Sequence, residues 1–82
     1  MEKENQPINY SEEYVNSLKI LSPREVEIME MVAEGKTSPE IVQEFHLSKK
    51  TIEKHRENIC QKLDLEGHRS LFNWCEEFVP DL

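Results

Sequence analysis

Basic side chains are concentrated between His46 and Lys62, in a segment with a net charge of +3. Only Glu53 and Glu57 oppose the positive charge there. The basic residues of the segment are Lys49, Lys50, Lys54, Arg56 and Lys62. Ammonium and guanidinium groups bind phosphate oxygens, and those that reach base edges donate hydrogen bonds to them. The segment therefore predicts contact with a nucleic acid.

The rest of the chain has the opposite charge. Its 82 residues include 17 acidic and 10 basic side chains, which give a formal net charge of -7. Taken as a whole, this balance argues against a nucleic-acid partner, because nucleic-acid-binding domains are usually basic. The length allows one small domain, which buries roughly 60–65% of its unfolded surface and has a thin core that a partner can complete.

Two helices joined by a tight turn are predicted from Thr37 to Leu63. Thr37 and Glu40 have the spacing of a capping box, and Ser48 caps the second helix after a turn at residues 46–47. The inward-facing apolar residues are Ile41, Val42, Phe45, Ile52, Ile59 and Leu63. The outward-facing residues of the second helix are Lys50, Glu53, Lys54, Glu57, Asn58 and Gln61. This pattern is typical of a helix-turn-helix, whose second helix enters the DNA major groove.

Another helix with clear start and stop signals is predicted after Leu21. Ser22 is its N-cap, Pro23 occupies its first position and Glu25 completes a capping box. Gly35 ends the helix in a left-handed conformation. Its inner stripe consists of Ile28, Met29, Val32 and Ala33.

Shorter patterns predict helices near both ends, and residues 1–9 are predicted to form a polar tail. Ser11 caps a short helix over Glu12 to Leu18. Its apolar side consists of Tyr14, Val15 and Leu18. A last helix runs from about Arg69 to Val79 and stops at Pro80. Its apolar face consists of Leu71, Phe72, Cys75, Phe78 and Val79. No strand pattern is present, so the predicted fold class is all-α.

From Leu21 onward the chain resembles the LuxR-type (GerE-type) helix-turn-helix domain of bacterial transcription regulators. The matching stretches are LSPREVEIMEMVAEGKTSPEIV and FHLSKKTIEKHRENICQKLDL. The positions in register with the family pattern are Leu21, Arg24, Glu25, Glu27, Gly35, Glu40, Ile41, Ser48, Thr51, Ile52, His55, Asn58, Ile59, Lys62 and Leu63. The resemblance implies a four-helix bundle over residues 21–82. Residues 1–20 are then a tail or linker with a short extra helix.

The resemblance also implies that the third helix of this domain, which follows Ser48, reads DNA, with base-edge positions at Glu53, Lys54 and Glu57. A carboxylate there accepts a hydrogen bond from cytosine but repels the neighbouring phosphates. The predicted DNA-binding residues are Lys36, Ser38, Lys49, Lys50, Thr51, Glu53, Lys54, Glu57, Asn58 and Lys62. The alternative is a solvated helix face with local caps and ion pairs, which contribute only ~0.2–0.5 kcal/mol each.

The last helix has two interpretations. Phe72 and Phe78 can close the core of a single chain. Alternatively, Trp74 lies beside the main apolar stripe and is an exposed aromatic contact for a second copy of the chain. The predicted homodimer interface is Phe72, Trp74, Cys75 and Phe78.

Other kinds of site have little support. His55 lacks the spacing of a metal ligand, and Cys60 and Cys75 form neither a zinc motif nor a redox pair. No catalytic, cofactor or metal residues are predicted. No run approaches the ~18 apolar residues of a membrane helix. The first residues, MEKENQ, lack a secretory signal, so the expected location is cytoplasmic.

The favoured function is therefore a sequence-specific DNA-binding transcription regulator. Its expected partners are double-stranded DNA and a second copy of the chain, with RNA polymerase as a further candidate and no membrane. The alternative is a protein-interaction module on the same fold, which Glu53 and Glu57 favour because they leave the outer helix face nearly neutral. The sequence is compatible with a piece of a longer regulator and with a small stand-alone protein.

Overall fold

The computed structural model describes residues 10–67 and 69–80, and all regular secondary structure in these ranges is helical. The helices are α1 (Glu12–Ile20), α2 (Pro23–Ala33), α3 (Ser38–Phe45), α4 (Lys49–Lys62) and α5 (Ser70–Phe78). The predicted all-α bundle with a short additional N-terminal helix is confirmed. The tail predicted for residues 1–9 lies outside the described residues.

Short-range hydrogen bonds fix where the central helices begin. At α2, the backbone N–H of Ser22 donates to Glu25 Oε1 at 2.9 Å, and that of Glu25 donates to Ser22 Oγ at 3.2 Å. Thr37 and Glu40 form the same reciprocal pair at α3, with distances of 2.8 and 3.4 Å. Both predicted capping boxes are confirmed. They satisfy N–H groups that the first turn of a helix leaves without partners.

Left-handed residues fix where two of these helices end. Gly35 follows α2 with φ +90°, as predicted. His46 caps α3 with φ +58°, and this single residue turns the chain toward α4. Ser48 then starts α4 by accepting a hydrogen bond from the Thr51 N–H at 3.1 Å. The tight turn sets the angle at which α3 crosses α4.

The core lies between α2, α3, α4 and α5. Its most buried side chains include Ile28 and Met29 of α2, Ile41 of α3, Ile52 and Ile59 of α4, and Cys75 of α5. Helix α4 packs against each of the other three, and α2 also packs against α5. The inner face of α4 is thus held on three sides, which leaves one face for solvent.

Helix α1 presents a different face to the core than its apolar residues predict. Tyr14 is buried as expected, but its partner on that face is Ser17, whose hydroxyl donates to the Tyr14 carbonyl at 2.6 Å. Val15 and Leu18 are 37% and 42% exposed, so the predicted apolar side is wrong for these two residues. The Ser17 hydroxyl also lies 3.9 Å from Met29 Sδ on α2, and its hydrogen bond to Tyr14 offsets the cost of burying it.

One ion pair joins the start of α2 to the end of α4. Lys62 Nζ donates to Glu25 Oε1 at 2.8 Å, and Glu25 is only 5% exposed. Burial raises the pKa of the Glu25 carboxyl, but the hydrogen bonds from Lys62 and Ser22 outweigh it and hold the pKa below its ordinary value of 4.5. Because this carboxylate also caps α2, its charge holds two helix ends together.

The lowered pKa of Glu25 predicts an acid-sensitive stability. The stabilisation is fully present above about pH 4.5, the ordinary pKa, and is lost as the pH falls through the lower folded value. In urea unfolding, the free energy of unfolding of wild type should fall on acidification by about 1 kcal/mol more than that of Glu25→Gln. This value is low for a charge-assisted hydrogen bond because the Lys62 side chain is 42% exposed. Glu44→Gln, at an exposed site on α3, is the control. Equal pH dependence in wild type and Glu25→Gln would contradict the role of this pair.

None of the described helices is long and apolar enough to cross a membrane.

Candidate nucleic-acid interface

The outer face of α4 is a continuous exposed surface. Lys50, Glu53, Lys54 and Glu57 project from it into solvent, as predicted. The side chains of Lys54 and Glu57 are 67% and 58% exposed. Asn58 is half-buried at the edge of this face. No other element covers the two lysines, so a groove-shaped ligand can approach them.

Ion pairs on this face partly neutralise its cations. Lys54 Nζ lies 3.3 Å from Glu57 Oε1, and Lys49 Nζ lies 3.9 Å from Glu53 Oε2. Exposed pairs of this kind contribute about 0.2–1 kcal/mol, so a phosphate competes easily for the lysines. Within residues 10–67 and 69–80, no carboxylate forms a salt bridge with Lys50.

The starts of α3 and α4 present hydroxyl groups beside the lysines. The Ser48 hydroxyl donates to Thr51 Oγ1 at 2.9 Å, so Thr51 retains its own proton for a further acceptor. The Thr37 hydroxyl donates to Glu40 at 3.2 Å and is therefore occupied within its capping box. Ser38 and Lys36 are half-buried next to it. Thr51 and Ser38 thus remain as donors for an anion.

Lys62 differs from the other predicted DNA-binding residues. It lies at the C-terminal end of α4, and its ammonium is bound to the buried Glu25 at 2.8 Å. Releasing it to a phosphate would leave that carboxylate buried without its charged partner, which is costly. The geometry therefore gives Lys62 a structural role in the bundle.

The predicted dimer surface on α5 is only partly exposed. Trp74 is half-buried, with its ring centroid 5.2 Å from that of Phe78, rather than freely exposed as the sequence predicts. Phe72 and Phe78 are also half-buried. Cys75 is 1% exposed, and its Sγ lies 3.6 Å from the Met29 carbonyl. Cys75 therefore packs inside the chain, and this burial raises the pKa of its thiol to about 12.

Comparison with known proteins identifies the fold. The family model of the bacterial regulatory proteins of the luxR family matches residues 19–74. The chain belongs to the luxR family. The match contains α2, α3 and α4 in full and α5 as far as residue 74, so the whole helix-turn-helix lies within it. Domains of this family are DNA-binding parts of transcription regulators.

Individual relatives of this luxR-family chain are regulatory proteins. Over 47 residues it is 51% identical to the uncharacterized response regulatory protein YgeK of Escherichia coli K12. The aligned region covers 57% of the chain and 32% of YgeK. Over 56 residues it is 39% identical to the oxygen regulatory protein NreC of Staphylococcus carnosus. This second aligned region covers 68% of the chain and 26% of NreC. The chain thus spans a third or less of these relatives. No solved structure matches it.

Two arginines of the luxR-family domain were not among the predicted site residues. Arg56 is half-buried beside α5, and Arg69 precedes α5 with a left-handed backbone, φ +67°. The net charge of the segment from His46 to Lys62 includes Arg56 but does not reveal its orientation. Arg69 lies outside that segment, so only the tertiary structure brings it close to Lys36 and Arg56 along one cleft.

Metal-binding chemistry finds no support in the described part of the chain. Within residues 10–67 and 69–80, no three His, Cys, Asp or Glu side chains are grouped as a metal site would require. His55 is half-buried on the flank of α4.

Proposed function

We propose that this domain is a sequence-specific DNA-binding transcription regulator that inserts α4 into the major groove of duplex DNA. The main support is the exposed outer face of α4, where Lys50 and Lys54 stand clear of the rest of the bundle. An α-helix fits the major groove, and lysine side chains reach guanine O6 and N7 there. Because the proposed ligand is duplex DNA, we propose that the domain acts in the bacterial cytoplasm.

The residues of the interface have two proposed roles. Lys50 and Lys54 contact base edges, and Glu53 or Glu57 accepts a hydrogen bond from the amino group of cytosine. Lys36, Ser38, Lys49 and Thr51 contact the backbone, with Asn58 at the margin. These phosphate contacts fix the register of α4, whereas the base contacts select the sequence.

The active form is proposed to be a homodimer. Helix α5 lies on the opposite side of α4 from the proposed DNA face and carries the half-buried rings of Phe72, Trp74 and Phe78. A second copy that covers these rings would complete the thin core of a small domain. Two α4 helices related by a two-fold axis would read half-sites about one helical turn apart.

Selection of duplexes from a random pool, followed by fluorescence anisotropy, tests this function. We expect wild type to enrich a palindromic motif with half-sites about 10 base pairs apart, and to bind with two chains per duplex by sedimentation. Binding should weaken steeply with salt, with a slope of about 0.9 per phosphate neutralised, and the acidic body should require low salt for tight binding. The double variant Lys50→Gln and Lys54→Gln should enrich nothing. No enrichment by wild type even at low salt would contradict the proposal.

A protein-interaction module on the same fold is the second candidate. The observation that favours it is the pairing of Lys54 with Glu57 and of Lys49 with Glu53, which leaves the proposed DNA face almost neutral. RNA polymerase or a sensory protein would then be the partner of α4. Substitution of the two glutamates separates the candidates, because their loss should weaken a protein contact but strengthen attraction to phosphate.

A further inference from the structure

A cleft of about 640 Å³ opens beside α4, between the start of α3 and the start of α5. Its walls carry positive side chains from three separate parts of the fold. Lys36 comes from the loop before α3, Arg56 from α4, and Arg69 from the residue that precedes α5. Ser38 and Phe72 complete the surface that these cations share. We call it the Arg69 cleft.

One aromatic contact orients Arg69 in the cleft that bears its name. The Arg69 guanidinium carbon lies 4.9 Å from the ring centroid of Phe72, a cation–π contact that orients the charged group along the cleft wall. Arg56 is half-buried on α4, whereas Arg69 is exposed. The contact with Phe72 restricts the Arg69 guanidinium before a ligand binds, which lowers the entropy cost of binding.

The charge in the Arg69 cleft is only partly balanced by the protein itself, since Lys36 also lies beside Glu40 and Glu44 at the start and on the side of α3. Glu53 is the carboxylate on its wall, and that residue already pairs with Lys49 at 3.9 Å. In the described part of the chain, no salt bridge involves Lys36, Arg56 or Arg69. Like charges brought together in a concave surface raise the local potential and attract an anion.

Hydrogen-bond donors at the start of α3 suit the same anion. Pro39 has no N–H, and the Glu40 N–H already donates to Thr37. Among the described residues of this first turn, Ser38 therefore keeps both its backbone N–H and its hydroxyl available to a ligand. A tetrahedral anion can accept bonds from Ser38 and from the arginine side chains together.

We propose that the Arg69 cleft binds a phosphodiester of the DNA backbone while α4 occupies the adjacent major groove. The contact surface then extends past α4 to the start of α5, and Arg69 with Lys36 fixes the position of the domain on one strand. This inference rests on the proposed function. Free inorganic phosphate has the same chemistry, but it lacks the neighbouring contacts that α4 makes with the duplex.

The salt dependence of duplex binding tests this inference. Arg69→Gln and Lys36→Gln should each lower the slope of log affinity against log salt by about 0.9, since each removes one phosphate contact. Between about 50 and about 200 mM salt, the affinity of each variant should therefore fall by a factor that is roughly threefold smaller than the factor for wild type. The weakening should be the same on selected and scrambled duplexes, because a phosphate contact carries no sequence information. Arg69→Gln also removes the cation–π contact with Phe72, so the fold of this variant is checked separately.

Lys19→Gln is the matched control, because it removes one positive charge at the end of α1, outside the cleft. Circular dichroism checks that all variants fold. If wild type binds and Lys50→Gln with Lys54→Gln abolishes binding, but Arg69→Gln matches Lys19→Gln, the cleft inference is overturned and α4 remains the DNA-binding helix. If Lys36→Gln also matches Lys19→Gln, the proposed backbone contact of Lys36 is wrong as well. If wild type binds no duplex, both fail. If millimolar inorganic phosphate displaces a labelled duplex as well as unlabelled duplex does, the cleft is a site for free phosphate, and the proposed contact with the DNA backbone is wrong.

Discussion

Replacing Ile59 with alanine is expected to lower the free energy of unfolding by about 2–5 kcal/mol. Ile59 is fully buried on α4, the helix that packs against α2, α3 and α5. The alanine would leave a cavity where these helices meet. A domain of 82 residues has a total stability of about 4–12 kcal/mol, so the loss is a large fraction of it. Urea unfolding followed by far-UV circular dichroism measures the change.

Two further variants make this result specific to the core. Ile59→Val should cost only about 0.5–1.5 kcal/mol, because it removes one methylene group. Leu18→Ala removes an apolar side chain that is 42% exposed on α1, and it should change stability by no more than about 0.5 kcal/mol. If Ile59→Ala and Leu18→Ala unfold at the same urea concentration, α4 is not the centre of the core.

Replacing both Glu53 and Glu57 with glutamine is expected to tighten binding to duplex DNA of arbitrary sequence by roughly 2- to 30-fold. The two exposed ion pairs that hold Lys49 and Lys54 are each worth about 0.2–1 kcal/mol, and this energy no longer opposes contact with phosphate. The salt slope should steepen by up to about 1.8 as two lysines become available. Anisotropy with a scrambled duplex measures both changes.

The same variant separates the two candidate functions. If a carboxylate of Glu53 or Glu57 reads cytosine, discrimination between the selected and the scrambled duplex should fall by about 1–3 kcal/mol while non-specific binding rises. Glu27→Gln together with Glu44→Gln, at exposed positions of α2 and α3, makes the same charge change elsewhere and is the control. Unchanged DNA binding, with loss of a protein partner in pull-down experiments, would favour the interaction module instead.

Helix starts and ends were predictable from single residues because they depend on local chemistry. The capping boxes of Ser22 with Glu25 and of Thr37 with Glu40 require only a hydroxyl and a carboxylate three positions apart. Gly35 likewise marks the end of α2 by its own conformational freedom. The exposed face of α4 followed in the same way from the spacing of its isoleucines.

Burial at the ends of the chain was less predictable. Apolar content alone placed Val15 and Leu18 toward the core, whereas the structure buries Ser17, whose hydroxyl bonds to the Tyr14 carbonyl and lies 3.9 Å from Met29 Sδ. Trp74 was expected on the surface but lies against Phe78. Such choices depend on the shape of the neighbouring helices, which no local pattern contains.

The amino-acid sequence by itself determined the helices, their order and the helix-turn-helix, since these follow from caps, turns and a periodic apolar stripe. Its motifs also resembled the luxR family, to which the family model assigns the chain. Only the tertiary structure decided which charges are available. It binds Lys62 to Glu25 from the distant start of α2, and it brings Lys36, Arg56 and Arg69 to one cleft. Electrostatic interaction depends on distance in space, and folding brings together charges that are far apart along the chain.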